Sequence, residues 1–140
     1  MIYLDTSVVV ALMTQEPSSD FVAIWFADLD EVPVSSDWLL AEFASAISIK
    51  VRTGKLADTD AKAIHKKFDV LASGGIRLAP VSRAAFKEAA TLSRTHKTGV
   101  RAGDALHLAV ARELGATTIA TLDGVMATNA ERLKMTVARI

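Results

Sequence analysis

No cysteine occurs anywhere in the 140 residues, and that one absence removes disulfides, thiolate metal sites and a cysteine nucleophile. It also fits a reducing compartment. An excess of charge of one sign is missing too: 16 Lys and Arg balance 16 Asp and Glu, for a formal net charge of zero. No global basic field therefore advertises a nucleic-acid partner, so any such binding has to come from local patches or metal ions. No apolar run, Val8 to Met13 included, is long enough to span a bilayer, and the amino terminus lacks the basic-then-apolar layout of a signal peptide. Internal repeats, low-complexity tracts and long linkers are likewise absent. With 51% hydrophobic residues, the expectation is a soluble, cytoplasmic protein whose residues 1–140 form a single domain with a substantial core.

What is present is an alternation of short apolar strands with helical patterns. Ile2 to Leu4 reads as a buried strand that breaks on Asp5, Thr6 and Ser7, any of which can cap a helix over Ser7 to Met13 that Pro17 ends. Ser18 or Ser19 can cap a second helix, whose residues Phe21, Val22, Ile24, Trp25, Phe26 and Leu29 predict a wide buried face. A brief strand at Val32 to Ser35 precedes a helix from Asp37, with Leu39, Leu40, Phe43, Ala44, Ile47 and Val51 inward and Gly54 as its stop. Asp58 to Ser73 reads as its hairpin partner, ended by Gly74-Gly75. A strand at Ile76 to Val81 leads to a helix capped by Ser82, and His96 to Gly99 is a loop. An apolar helix over Ala102 to Leu114, closed by Gly115, a strand at Thr117 to Leu122, a helix near Val125 to Leu133 and a strand from Met135 to Ala138 complete the chain. Such alternation predicts an α/β three-layer fold around a mostly parallel sheet.

Four acids stand where solvation alone would not put them: Asp5 and Asp123 at strand ends, Glu42 and Asp104 in the opening turns of apolar helices. Each taken singly fits a helix cap, a turn or a favourable contact with a helix dipole. Their joint placement says more, because a parallel sheet can bring all four to one edge, where ligands of such sheets sit. Clustered carboxylates repel one another and need raised pKa values, a basic partner or a divalent cation. Oxygen-only ligands select hard ions such as Mg²⁺ or Mn²⁺.

In this order and on a chain of this size, Ile2-Tyr3-Leu4-Asp5-Thr6-Ser7, Ala41-Glu42, the run Arg101 to Ala109 with Gly103-Asp104-Ala105-Leu106-His107, and Ala120-Thr121-Leu122-Asp123 resemble the PIN-domain nucleases, and among them the toxins of VapBC-type type II toxin–antitoxin pairs. The resemblance spans nearly the whole chain. It implies a three-layer α/β/α PIN-like fold and a Mg²⁺- or Mn²⁺-dependent endoribonuclease that hydrolyses RNA phosphodiester bonds by metal-activated water, leaving 5′-phosphate and 3′-hydroxyl ends. It further implies that Asp5, Glu42, Asp104 and Asp123 hold the metal and that Thr6 matches a hydroxyl that hydrogen-bonds within the acidic site. An RNA substrate, a cognate VapB-like antitoxin and a homodimer follow from the same resemblance, the early aromatics Trp25, Phe26 and Trp38 being compatible with such partners. Gly103 departs from the pattern, standing where a proline is often found; the departure loosens the backbone and removes no ligand.

Other residues invite both a functional and a plain structural reading. His107 fits a structural histidine with one hydrogen bond better than a ligand. Lys97 and Arg101 could hold a phosphate or simply be solvated. His65-Lys66-Lys67 reads as the polar face of a helix, and Trp25-Phe26 as core or partner surface rather than a base-stacking platform. A dehalogenase-like phosphatase needs a second aspartate two positions after the first, where Ser7 stands, and the acids and lysine of a receiver domain are missing. The remaining alternatives are a PIN nuclease that processes RNA without an antitoxin and a non-catalytic PIN-fold interaction module.

Overall fold

A computed structural model describes all residues, Met1–Ile140. Its elements alternate along the chain: β1 (Ile2–Leu4), α1 (Thr6–Met13), α2 (Ser19–Ala27), β2 (Val34–Ser36), α3 (Trp38–Arg52), α4 (Asp58–Val70), β3 (Arg77–Ala79), α5 (Arg83–Ser93), α6 (Ala102–Glu113), β4 (Thr118–Ala120), α7 (Gly124–Arg132) and β5 (Thr136–Val137). The five strands form one sheet in the order β3-β2-β1-β4-β5, and every pairing is parallel. From β1 the chain first builds outward through β2 and β3, then returns across β1 to lay down β4 and β5. The reversal falls between β1 and β4, which pair Ile2 with Thr118, Tyr3 with Ile119 and Leu4 with Ala120. In a sheet of this kind the crevice beyond the carboxyl ends of those two strands is the place for a ligand.

Side chains alternate across the sheet and so divide the core in two. Tyr3 and Ile119 face a cluster built with α5, α6 and α7, including Ala85, Leu108, Val110 and Met126. Leu4 and Ala120 face the opposite cluster, built with α1, α3 and α4, including Val8, Leu39, Phe43, Ile47, Ile64 and Phe68. Helices therefore cover both faces, as the alternation predicts. Local signals set the ends: Ser82 Oγ accepts the Ala85 N–H at 2.9 Å to cap α5, and Gly54 and Gly115 take left-handed φ values of 72° and 70° after α3 and α6, a backbone that glycine adopts without steric cost.

Three expectations need correction. The wide buried face of α2 does not form: Val22 is buried, Trp25 and Phe26 are half-buried, but Phe21 and Ile24 remain 67% and 64% exposed, because α2 packs on α1 and nothing covers its outer side. The helix expected to run to Ser73 leaves α geometry after Val70 and closes through a π-helical turn over Leu71–Gly75. Strands β3 and β4 are shorter than their apolar runs suggest; at the end of β4 the chain leaves the ladder as the Thr121 hydroxyl turns to a carboxylate instead.

Candidate metal centre

Asp5 directly follows β1, and its backbone N–H continues the ladder to Ala120 O at 3.0 Å. It occupies the residue before α1, yet its side chain makes no capping bond. The carboxylate is instead buried, 4% exposed, with Oδ2 accepting two hydroxyl donors, Ser7 Oγ at 2.6 Å and Thr121 Oγ1 at 2.7 Å. Those hydroxyls are themselves fixed from β4's end: Ser7 Oγ accepts the Leu122 N–H at 2.9 Å and Thr121 Oγ1 accepts the Asp123 N–H at 3.0 Å. Two of these four hydrogen bonds, Thr121 to Asp5 and Leu122 to Ser7, join the two strand ends, and together the four aim Asp5 and leave Oδ1 without a hydrogen-bond donor.

Glu42 reaches the same edge from the second turn of α3, one turn later than the sequence suggested. Its Oε2 accepts Thr6 Oγ1 at 2.5 Å and His107 Nε2 at 2.8 Å. Burial acts to raise the Glu42 pKa, but the hydrogen bonds from His107 and Thr6 outweigh it and hold the carboxyl below its ordinary range. His107 is fully buried on α6. Its Nδ1 lies 2.9 Å from the Tyr3 hydroxyl, which donates to Ser36 Oγ at 3.0 Å. The expected structural histidine with one hydrogen bond is therefore a histidine engaged at both ring nitrogens, and it joins the sheet interior to Glu42. Its Nε2 also lies 3.7 Å from Asp5 Oδ1, and one ligand-type atom from each of Asp5, Glu42 and His107 falls within 4.8 Å of the others.

Asp104 stands in the first turn of α6 and Asp123 immediately before α7. Burial raises the Asp104 pKa first, and the charges of Asp5 and Asp123 add to it; the Arg101 backbone N–H offsets part. Asp123 is exposed and does act as a cap, its Oδ1 accepting the Met126 N–H at 2.8 Å. The structure thus brings Asp5, Glu42 and His107 into direct proximity and couples Asp104 to Asp5, Asp123 and Glu42 through charge. None of the four acids has a Lys or Arg partner among the ion pairs. Lys97 and Arg101 are exposed ahead of α6, Lys66 and Lys67 lie on the outer face of α4, and none of these joins the acids. The uncompensated negative charge and its hard oxygen donors fit a divalent cation, with the His107 nitrogen the one softer atom nearby.

Sequence reasoning missed the residues that orient the acids. Ser7 and Tyr3 passed as helix start and strand, and Thr121 as strand; only the recurrence of hydroxyls two places from Asp5 and from Asp123 hinted at them.

The PIN domain family model matches residues 2–131. The chain belongs to the PIN-domain family. A comparison with curated proteins finds no match. Among solved structures, this PIN domain is similar to Mycobacterium tuberculosis VapC20, described as a sarcin–ricin loop cleaving toxin, at TM-score 0.75 and 21% identity over 92% of this chain and 95% of that one. It is similar to FitAcB from Neisseria gonorrhoeae at TM-score 0.74 and 21% identity, covering 99% and 97% of the two chains. VapBC2 from Rickettsia felis, solved with a DNA fragment from its promoter, follows at TM-score 0.67 and 18% identity, covering 99% and 98%. At these identities the likeness describes the PIN fold. No helix of the PIN domain is long and apolar enough to cross a membrane.

Proposed function

We propose that this PIN domain, residues 1–140 acting as one unit, is a divalent-metal-dependent endoribonuclease and the toxin half of a type II toxin–antitoxin pair, acting in the cytoplasm. Its principal support is the pairing of Asp5 and Glu42 at the strand switch point: each carboxylate has one oxygen held by two donors. Asp5, Glu42, Asp104 and Asp123 are the residues that would hold Mg²⁺ or Mn²⁺. When bound, such an ion acidifies water and offsets charge on a departing 3′ oxygen. The chain's own groups do the rest. Ser7 and Thr121 aim Asp5, Thr6 and His107 aim Glu42 and hold it ionised, and no side chain need act as nucleophile.

The similar structures support the biological half of the reading, since VapC20 is described as a sarcin–ricin loop cleaving toxin and VapBC2 was solved bound to a DNA fragment from its promoter. A VapB-like antitoxin and a second copy of this chain are the proposed partners, supported by the exposed apolar side chains Phe21, Ile24, Val70 and Phe86. The test is a paired cleavage assay on RNA with and without Mn²⁺, using the unmodified protein and Asp5→Asn. Cleavage is expected only with metal and only from the unmodified protein, the variant losing about 10³-fold, as befits several kcal/mol of transition-state stabilisation. Equal cleavage by both proteins sinks the assignment.

A further inference from the structure

We infer that Gly103 is a positioning residue for Glu42: the space left by its missing side chain is where the Glu42 carboxylate stands. This rests on the reading of Glu42 as a metal-holding residue given above. Gly103 is the second residue of α6, and it is not among the glycines with left-handed φ, which are Gly54, Gly99 and Gly115. Its backbone therefore makes no demand for glycine, and alanine is the better helix former. The demand comes from across the site. A Cβ at Gly103 would lie 2.5 Å from Glu42 Oε1 and 3.4 Å from Trp38 Nε1, the first of these well inside van der Waals contact.

The end of a glutamate side chain can usually swing away from such a clash. Glu42 cannot do so freely, because Oε2 of the same carboxylate is held by Thr6 and His107. On the near side stands Trp38, one helical turn earlier on α3, whose buried indole N–H falls short of hydrogen-bond geometry yet lies near enough to Glu42 to favour its anion. The carboxylate is wedged between this indole and the α6 backbone. A methyl group at position 103 leaves two responses: Oε1 is displaced toward Trp38, or the whole carboxylate rotates and gives up its bonds to Thr6 and His107. Either response moves a carboxylate that stands beside Asp5 and His107. The glycine that reads as a loosened backbone in sequence thus fixes a ligand on a different helix.

The experiment compares the unmodified chain with Gly103→Ala, Thr6→Val and the double variant, with two readouts. The first is Mn²⁺ affinity, followed by the electron paramagnetic resonance of free Mn²⁺. Gly103→Ala is expected to bind about 10–100-fold more weakly, the range typical of lost ligand support, while its metal-free melting temperature stays level or rises. The second is a double-mutant cycle on metal-free stability. Thr6→Val is expected to lower the melting temperature of the unmodified chain more than that of Gly103→Ala, where the Thr6–Glu42 bond is already disturbed. Unchanged Mn²⁺ affinity in Gly103→Ala together with an additive cycle overturns the inference. Should the unmodified chain bind no Mn²⁺, the metal reading of the site falls, and the cycle alone decides on Gly103: coupling supports it and additivity refutes it.

Discussion

The two halves of the acidic site are built differently. Asp5 and Glu42, on the inner side, are each held through one oxygen by two neutral or histidine donors, and Glu42 is kept readily ionised. Asp104 and Asp123, on the outer side, receive little of this: Asp104 is disfavoured as an anion by burial and by its neighbours' charges, and Asp123 spends one oxygen on capping α7. The inner half is thus organised before any cation arrives, whereas the outer half carries repulsion that a cation would relieve. That division follows from position. The inner acids stand over the β1–β4 junction, where hydroxyls from two strand ends converge. The outer ones sit at helix starts, where only backbone amides are at hand.

The sharpest way to break this contrast is to strip the inner half of its donors. Replacing Thr121 by Val and Ser7 by Ala leaves Asp5 Oδ2 buried with neither of its hydroxyl partners. The metal-free protein is expected to lose about 1–3 kcal/mol, the cost of an unsatisfied buried acceptor, and Mn²⁺ affinity to fall about 10–100-fold. Chemical denaturation and calorimetric titration measure the two effects. If affinity stays within about threefold of the unmodified value, the clasp is a folding device and does not organise the site.

These donors also mark the limit of what the sequence reveals. The strand ending on Asp5, the α/β alternation, the Ser82 cap and the glycine stops at Gly54 and Gly115 were all legible, because each is a local signal read over a few residues. Asp5 and Asp123 were legible as strand-end positions and Asp104 as a helix start, whereas Glu42 lies one turn deeper in α3 than its pattern suggested. The Thr121–Asp5 bond joins residues 116 apart, and nothing in either local pattern announces it. Gly103 likewise faces a glutamate on another helix, so its local pattern reads only as a flexible spot. The buried face expected of α2 failed for a related reason: apolar periodicity says which residues share a face, but not whether a second layer of the fold covers it. His107 fell between the two cases, its structural role foreseen and its contacts with Glu42 and Tyr3 not.

The outer half offers a prediction of opposite sign. Asp104 has a folded-state pKa above its ordinary 3.8, so the folded chain binds that proton more tightly than the unfolded one. The penalty of its charge is fully present near neutral pH and disappears as pH falls through the raised value. Asp104→Asn is accordingly expected to melt a few degrees higher than the unmodified metal-free protein at neutral pH, a stability gain at the expense of function, with the gap closing on acidification. Glu42 runs the other way: its lowered pKa contributes stability that is fully present above the ordinary carboxylate value and is lost progressively as pH falls from there through the lowered one. Melting curves between neutral pH and the carboxylate range, with and without Mn²⁺, follow both. A lower melting temperature for Asp104→Asn at neutral pH would mean that Asp104 is stabilised as an anion and that the two halves are alike.

Asp123 gives the smallest effect and separates two roles within one side chain. As a cap it needs only an oxygen that accepts the Met126 N–H, which asparagine supplies about as well as aspartate; as a participant in the site it needs the charge. Asp123→Ala is expected to destabilise by about 1 kcal/mol through the lost cap, whereas Asp123→Asn should melt within about 0.5 kcal/mol of the unmodified chain, as a cap-preserving surface change does. If Asp123 also serves the site, both variants bind Mn²⁺ more weakly, and the asparagine variant does so without any loss of stability. Full Mn²⁺ affinity in Asp123→Asn would restrict the residue to its helix, and the outer half of the site would then rest on Asp104 alone.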